Sequence, residues 1–119
     1  MAATPEGKVK AKVKKILDAY GAYHFSPATG GYGASGVPDI VVCFHGKFLA
    51  IECKAGTNQP TALQERHLYL IQRNKGVAFV INETNYALLE AALAEINEGH
   101  SPLPPDILTS SQDKKKYVA

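Results

Sequence analysis

Two carboxylates and a lysine occupy positions that one short hairpin would bring together. The segment from Gly36 to Lys54 reads as two apolar runs around His45-Gly46, with Pro38-Asp39 opening the first and Glu52-Cys53-Lys54 closing the second. With His45 and Gly46 as a two-residue loop, Phe44 faces Lys47 and the pairing runs back until Asp39 lies opposite Glu52. Paired residues of an antiparallel ladder hold their Cβ atoms roughly 4.5–5.5 Å apart, close enough for two carboxylates to share a divalent cation. Lys54 follows Glu52 by two positions and therefore points to the same face. The expectation is a metal site with a fixed cation beside it, held by Asp39, Glu52 and the backbone carbonyl of Cys53. Such donors suit a hard ion such as Mg²⁺, which takes oxygen ligands and keeps several waters. A bound ion of this kind lowers the pKa of a water and withdraws charge from a phosphoryl group, the chemistry of phosphodiester hydrolysis. Lys54 would orient the attacking water and neutralise the transition state.

The surrounding elements follow from apolar spacing and punctuation. Thr4-Pro5 is a helix start, and Val9, Val13, Ile16, Leu17 and Tyr20 recur at helical spacing up to Gly21. At about 100° per residue, Glu6 falls at the edge of that apolar stripe. It either joins the site as a further carboxylate, for a second ion or a completed ligand shell, or pairs with Lys10 and the helix dipole. Residues 26 to 38 read as a loop rich in glycine, serine and proline, and Tyr23 and Tyr32 either touch a substrate from it or are simply buried or exposed tyrosines. It is not a phosphate-binding loop, because no Gly-Lys-Ser/Thr follows and a strand stands where a helix is needed. In the hairpin, Asp39, Val41, Cys43, Phe48, Ala50, Glu52 and Lys54 share one face, and Ile40, Val42, Phe44, Leu49 and Ile51 share the other. Both faces are mostly apolar, so helices are expected to cover both.

Thr61 to Gln64 has a capping-box pattern that opens a second helix, with Leu63, His67, Leu70 and Ile71 as its inner face. Gln64 either serves the cap alone or also reaches the site. Gly76 to Asn82 reads as a buried strand returning parallel to the Glu52 strand through a right-handed crossover. Thr84 or Asn85 then caps a third helix with Leu88, Leu89, Ala92, Leu93 and Ile96 inward and Gly99 as its stop. The element order expected is α-β-β-α-β-α: a central mixed β-sheet flanked by helices, in an α/β domain over residues 1–99. Residues 100–119, rich in Pro, Ser and Lys, read as a flexible or partly ordered tail.

At 119 residues, with 45% hydrophobic and 20% charged residues, the chain has the composition of one globular domain. The formal charge of +2 does not by itself demand a nucleic-acid partner. Lys8, Lys10, Lys12, Lys14 and Lys15 crowd the first helix and Lys114 to Lys116 the tail, either as a solvated face or as a basic surface. No apolar run is long enough to span a membrane, and no secretory leader is evident. Cys43 and Cys53 fall on opposite hairpin faces and should not pair, which fits a reducing cytoplasm.

Pro38-Asp39 followed by Glu52-Cys53-Lys54 resembles the PD-(D/E)xK nuclease signature. Glu6 on the leading helix, the Gly36-Val37-Pro38-Asp39 approach, Ile51 before Glu52, Gln64 opening the next helix and Val77-Ala78-Phe79-Val80 make the chain similar to the VRR-NUC branch. The likeness is to its small stand-alone, phage-type members and covers roughly residues 4 to 82. It implies a restriction-endonuclease-like core and a Mg²⁺- or Mn²⁺-dependent DNA nuclease in the cytoplasm of a bacterial or phage-infected cell. Glu6, Asp39, Glu52 and Lys54 occupy the family's acidic and lysine positions. The resemblance further implies a homodimer acting on branched or four-way-junction DNA, with contacts in the third helix and tail. Lys10, Tyr32 and Ser35 are candidates for touching substrate. The reading from another class is a nucleic-acid-binding module of the same fold that does not cleave.

Overall fold

Thr4 sets the start of α1 (Pro5–Ala19): its hydroxyl accepts the Gly7 N–H at 3.0 Å, and Pro5 fills the first helical position. Val9, Val13, Ile16 and Leu17 are buried along one stripe, and the helix gives way at Gly21, whose φ is +73°. The computed structural model describes residues 4–28 and 36–105 of the chain.

The hairpin forms with the register read from the sequence. β2 (Ile40–Phe44) and β3 (Lys47–Cys53) pair antiparallel from Phe44↔Lys47 to Ile40↔Ile51. His45 and Gly46, at φ 50° and 79°, both adopt the left-handed conformation that a two-residue turn requires. The capping box opens α2 (Ala62–Arg73): Thr61 Oγ1 accepts from Gln64 N–H, and Gln64 Oε1 accepts from Thr61 N–H at 2.9 Å. This helix carries the chain across to β4 (Val77–Ile81), which pairs parallel with β3 as expected. Asn85 then precedes α3 (Tyr86–Asn97).

The expected element order needs one correction. A further strand, β1 (Tyr23–Phe25), pairs antiparallel with β2, so the sheet has four strands in the order β1-β2-β3-β4. Three residues are too few for alternation to be read, and the two outer ones, Tyr23 and Phe25, are exposed. The strand exists through its pairing with β2.

One sheet face, with Ile40, Val42, Phe44, Leu49, Ile51 and Cys53, is fully covered and forms the main core with α1 and α3. The other is covered only in part. α2 lies over β4 and the adjoining part of β3, where Leu68 packs on Ala78, while Cys43 and Phe48 remain exposed. Two helix phases also differ from expectation. In α2 the fully buried positions are Glu65 and Leu68, and Leu63 is exposed, because a buried acid displaces the apolar stripe read from the sequence. In α3, Leu89, Ala92, Leu93 and Ile96 are buried, whereas Leu88 is turned outward and lines a shallow cleft with Leu103.

The free edge of β4 is capped by side-chain amides. Gln72 Nε2 donates to the Ala78 carbonyl at 3.2 Å, and Asn85 Nδ2 donates to the Val80 carbonyl at 3.0 Å. Both outward acceptors of the edge are thereby satisfied, which blunts it against pairing with another strand. The start of the tail is tied down as well: Gln72 Nε2 also donates to the Pro105 carbonyl, and Lys47 Nζ to Ser101 Oγ. No helix among the described residues is long and apolar enough to cross a membrane.

Candidate active site

The hairpin register brings Asp39 and Glu52 together at the end of the sheet. Pro38 has no N–H, so the β2 side of the ladder cannot donate beyond Asp39. The Cys53 N–H donates instead to Asp39 Oδ2 at 2.9 Å, which fixes this carboxylate to the strand that carries Glu52. Asp39 Oδ1 lies 3.7 Å from Lys10 Nζ on α1. Gly36 holds the approach to Asp39 against the start of α2. Its φ is +80°, and a Cβ there would lie 2.9 Å from Leu63 backbone and side-chain atoms. Only glycine satisfies both the conformation and the contact.

Glu52 is buried, with a side chain 1% exposed. Its Oε2 lies 3.4 Å from Lys54 Nζ, and its Oε1 has no hydrogen-bond partner among the described residues. Burial, followed by the neighbouring Asp39 charge, pushes its pKa up to about 7, against the opposing pull of Lys54. Glu6 adds a smaller push in the same direction, which puts it within electrostatic reach of the pair. Lys54 is held by its backbone: its N–H donates to the Ile81 carbonyl at 3.0 Å. The turn after it is pinned by the Gly56 N–H donating to Glu83 Oε1 at 2.6 Å. The Cys53 side chain points into the core, and burial with the nearby carboxylates pushes its thiol up to about 12. Cys43 and Cys53 are both free thiols, as their opposite faces required.

Asp39, Glu52, Lys54 and Lys10 are therefore gathered in one place, with Glu6 close by. Lys10 enters as the ion-pair partner of Asp39, so the alternative Glu6–Lys10 pair is not the contact it makes. Gln64 gives its side-chain oxygen to the helix cap. Tyr32 and Ser35 lie outside the described residues. Glu65, buried on α2, is not among the residues the sequence pattern marks as inward; its spacing of three from Leu68 is the signal for it.

Among the described residues, no three histidine, cysteine, aspartate or glutamate side chains are gathered as a metal-binding group. The donor set is two carboxylates plus the backbone at Cys53. That set fits Mg²⁺ or Mn²⁺, which are commonly held by one or two carboxylates and their own waters. The buried, unpartnered Oε1 of Glu52 is the observation in favour, since a cation is the partner that would offset its charge. No protein-family model matches the chain, and neither does any curated protein.

Proposed function

We propose that the chain is a metal-dependent DNA nuclease of restriction-endonuclease-like fold, hydrolysing phosphodiester bonds at the Asp39–Glu52 pair. The reading is carried by the buried Glu52 Oε1, which has no hydrogen-bond partner among the described residues and belongs to a carboxylate with Asp39 and Lys54 as charged neighbours. Asp39 and Glu52 would hold the ion through carboxylate oxygens, with the Cys53 carbonyl as the backbone donor. When bound, Mg²⁺ or Mn²⁺ supplies Lewis acidity and a water of lowered pKa. Lys54, 12% exposed and tethered to β4, keeps a cation beside Glu52. There it orients the attacking water and offsets charge growing on the phosphoryl oxygens. Lys10 supports the charge of Asp39 from α1, and in this reading it also meets a substrate phosphate. The VRR-NUC-like pattern of motifs supports DNA as substrate, and branched DNA as the form to test first.

Incubating the protein with duplex, nicked, flap, single-stranded and four-way-junction DNA tests this directly. Cleavage is expected with Mg²⁺ or Mn²⁺ and none in EDTA. Asp39→Ala and Lys54→Ala should each reduce the rate by at least about a hundredfold. Cleavage that persists in EDTA or in both variants sinks the mechanism. Binding without cleavage under every metal condition would favour the non-cleaving module instead.

A further inference from the structure

The sheet face that carries Asp39 and Glu52 also carries three exposed aromatic rings. Phe25 pairs with Val41, which pairs with Ala50; Tyr23 pairs with Cys43, which pairs with Phe48. Paired residues share a face, so these two rungs lie on the same side as the carboxylates. They stand about 7 and 13 Å further along the strands. Tyr23, Phe25 and Phe48 are 68%, 49% and 47% exposed, and the Tyr23 and Phe25 rings sit 6.2 Å apart. One flank of α2 forms a wall beside this floor, and a cleft of about 260 Å³ between Phe48 and the helix is lined by His67, Leu70, Ile71 and Asn74. The result is a trough beside α2, on the carboxylate face of the sheet, with exposed aromatic rings on its floor.

We infer that this trough takes an unpaired strand of DNA adjoining the scissile phosphate, its bases stacked on Phe48, Phe25 and Tyr23. The inference rests on the proposed nuclease reading and narrows its substrate to DNA with a single-stranded segment at the cut. Two observations select this occupant over a second protein. Aromatic rings contribute about 150–250 Å² each, so the exposed parts of these three offer about 300 Å². A stable protein interface needs about 800 Å² on each side. The rungs that carry the rings also follow the carboxylate rung on the same sheet face, so a polynucleotide whose phosphate meets the ion has its next bases toward the rings. Stacking needs no base-specific hydrogen bonds, so bases of any sequence can occupy such a surface.

Fluorescence anisotropy with a labelled oligo-dT and a duplex of equal length, in EDTA, reads binding apart from cleavage. Oligo-dT should bind in preference to duplex, and Tyr23→Ala, Phe25→Ala and Phe48→Ala should each weaken it about tenfold. Phe25→Leu and Phe48→Leu keep the apolar bulk and should weaken it similarly, with melting temperatures close to wild type. Oligo-dT affinity unchanged by all of these substitutions overturns the inference. So does a sedimentation shift from dimer to monomer in the same variants, which would mark a protein partner. If the wild type cleaves nothing with either metal yet shows this ring-dependent binding, the hydrolytic reading fails and the stacking surface stands.

Discussion

Glu52 is held in a state of electrostatic tension that makes it measurable. One oxygen meets Lys54 at 3.4 Å, the other has no hydrogen-bond partner among the described residues, and Asp39 stands just ahead of the neighbouring β2. With its pKa raised from 4.5 to about 7, the folded protein retains a proton here that the unfolded chain has already released. Between those values the native state binds more protons than the unfolded one, so stability falls as pH rises. The stabilisation is fully present below about pH 4.5 and is lost on passing through about pH 7. Its upper limit is about 3 kcal/mol. Urea melts in EDTA across this range should show wild type losing stability relative to Glu52→Gln, whose neutral amide has no such proton to release. Parallel pH profiles for the two proteins would contradict an uncompensated carboxylate at this position.

At the scale of elements, the two faces of each helix separate what sequence patterning could and could not reveal. Leu88 and Leu89 are adjacent, yet Leu89 is in the core and Leu88 lies open to the surface. Leu89→Ala should destabilise by about 2–5 kcal/mol, whereas Leu88→Ala should cost well under half of that. Equal losses in denaturant melts would contradict the observed phase of α3. The hairpin and the helix starts were legible because their signals are local: a two-residue loop fixes register, and Thr4-Pro5 and the Thr61–Gln64 box state where helices begin. α2 was less legible because buried Glu65 takes an inward position that patterning reserves for apolar residues. β1 was illegible for another reason. Tyr23, His24 and Phe25 become a strand only when β2 arrives beside them, and that pairing is non-local. The same logic governed the site. Asp39, Glu52 and Lys54 follow from one hairpin's arithmetic, whereas the Lys10–Asp39 contact depends on how α1 crosses the sheet.

Across the whole molecule, the site draws on α1 for Lys10, on the approach through Gly36 for Asp39, and on β3 and the turn after it for Glu52 and Lys54. Elements distant in sequence must therefore be folded together before an ion can be held. An ion that binds this arrangement and not the unfolded chain stabilises the fold by about 2.7 kcal/mol at a concentration 100 times its Kd. For a domain of this size that corresponds to a rise in Tm of roughly 10 °C. The Glu52 proton competes with the ion, so the rise should be large at pH 8 and shrink at pH 6, below the value of about 7 at which that proton leaves. Asp39→Ala should abolish the metal-dependent rise, whatever it does to the metal-free Tm, because only one carboxylate of the pair is left. Scanning calorimetry with Mn²⁺ and with EDTA, at both pH values, measures this without any DNA present. A Tm rise that is independent of pH and persists in Asp39→Ala would place the ion elsewhere on the molecule. Loss of the rise in that variant would tie metal binding, the carboxylate pair and the integrity of the sheet end to one equilibrium.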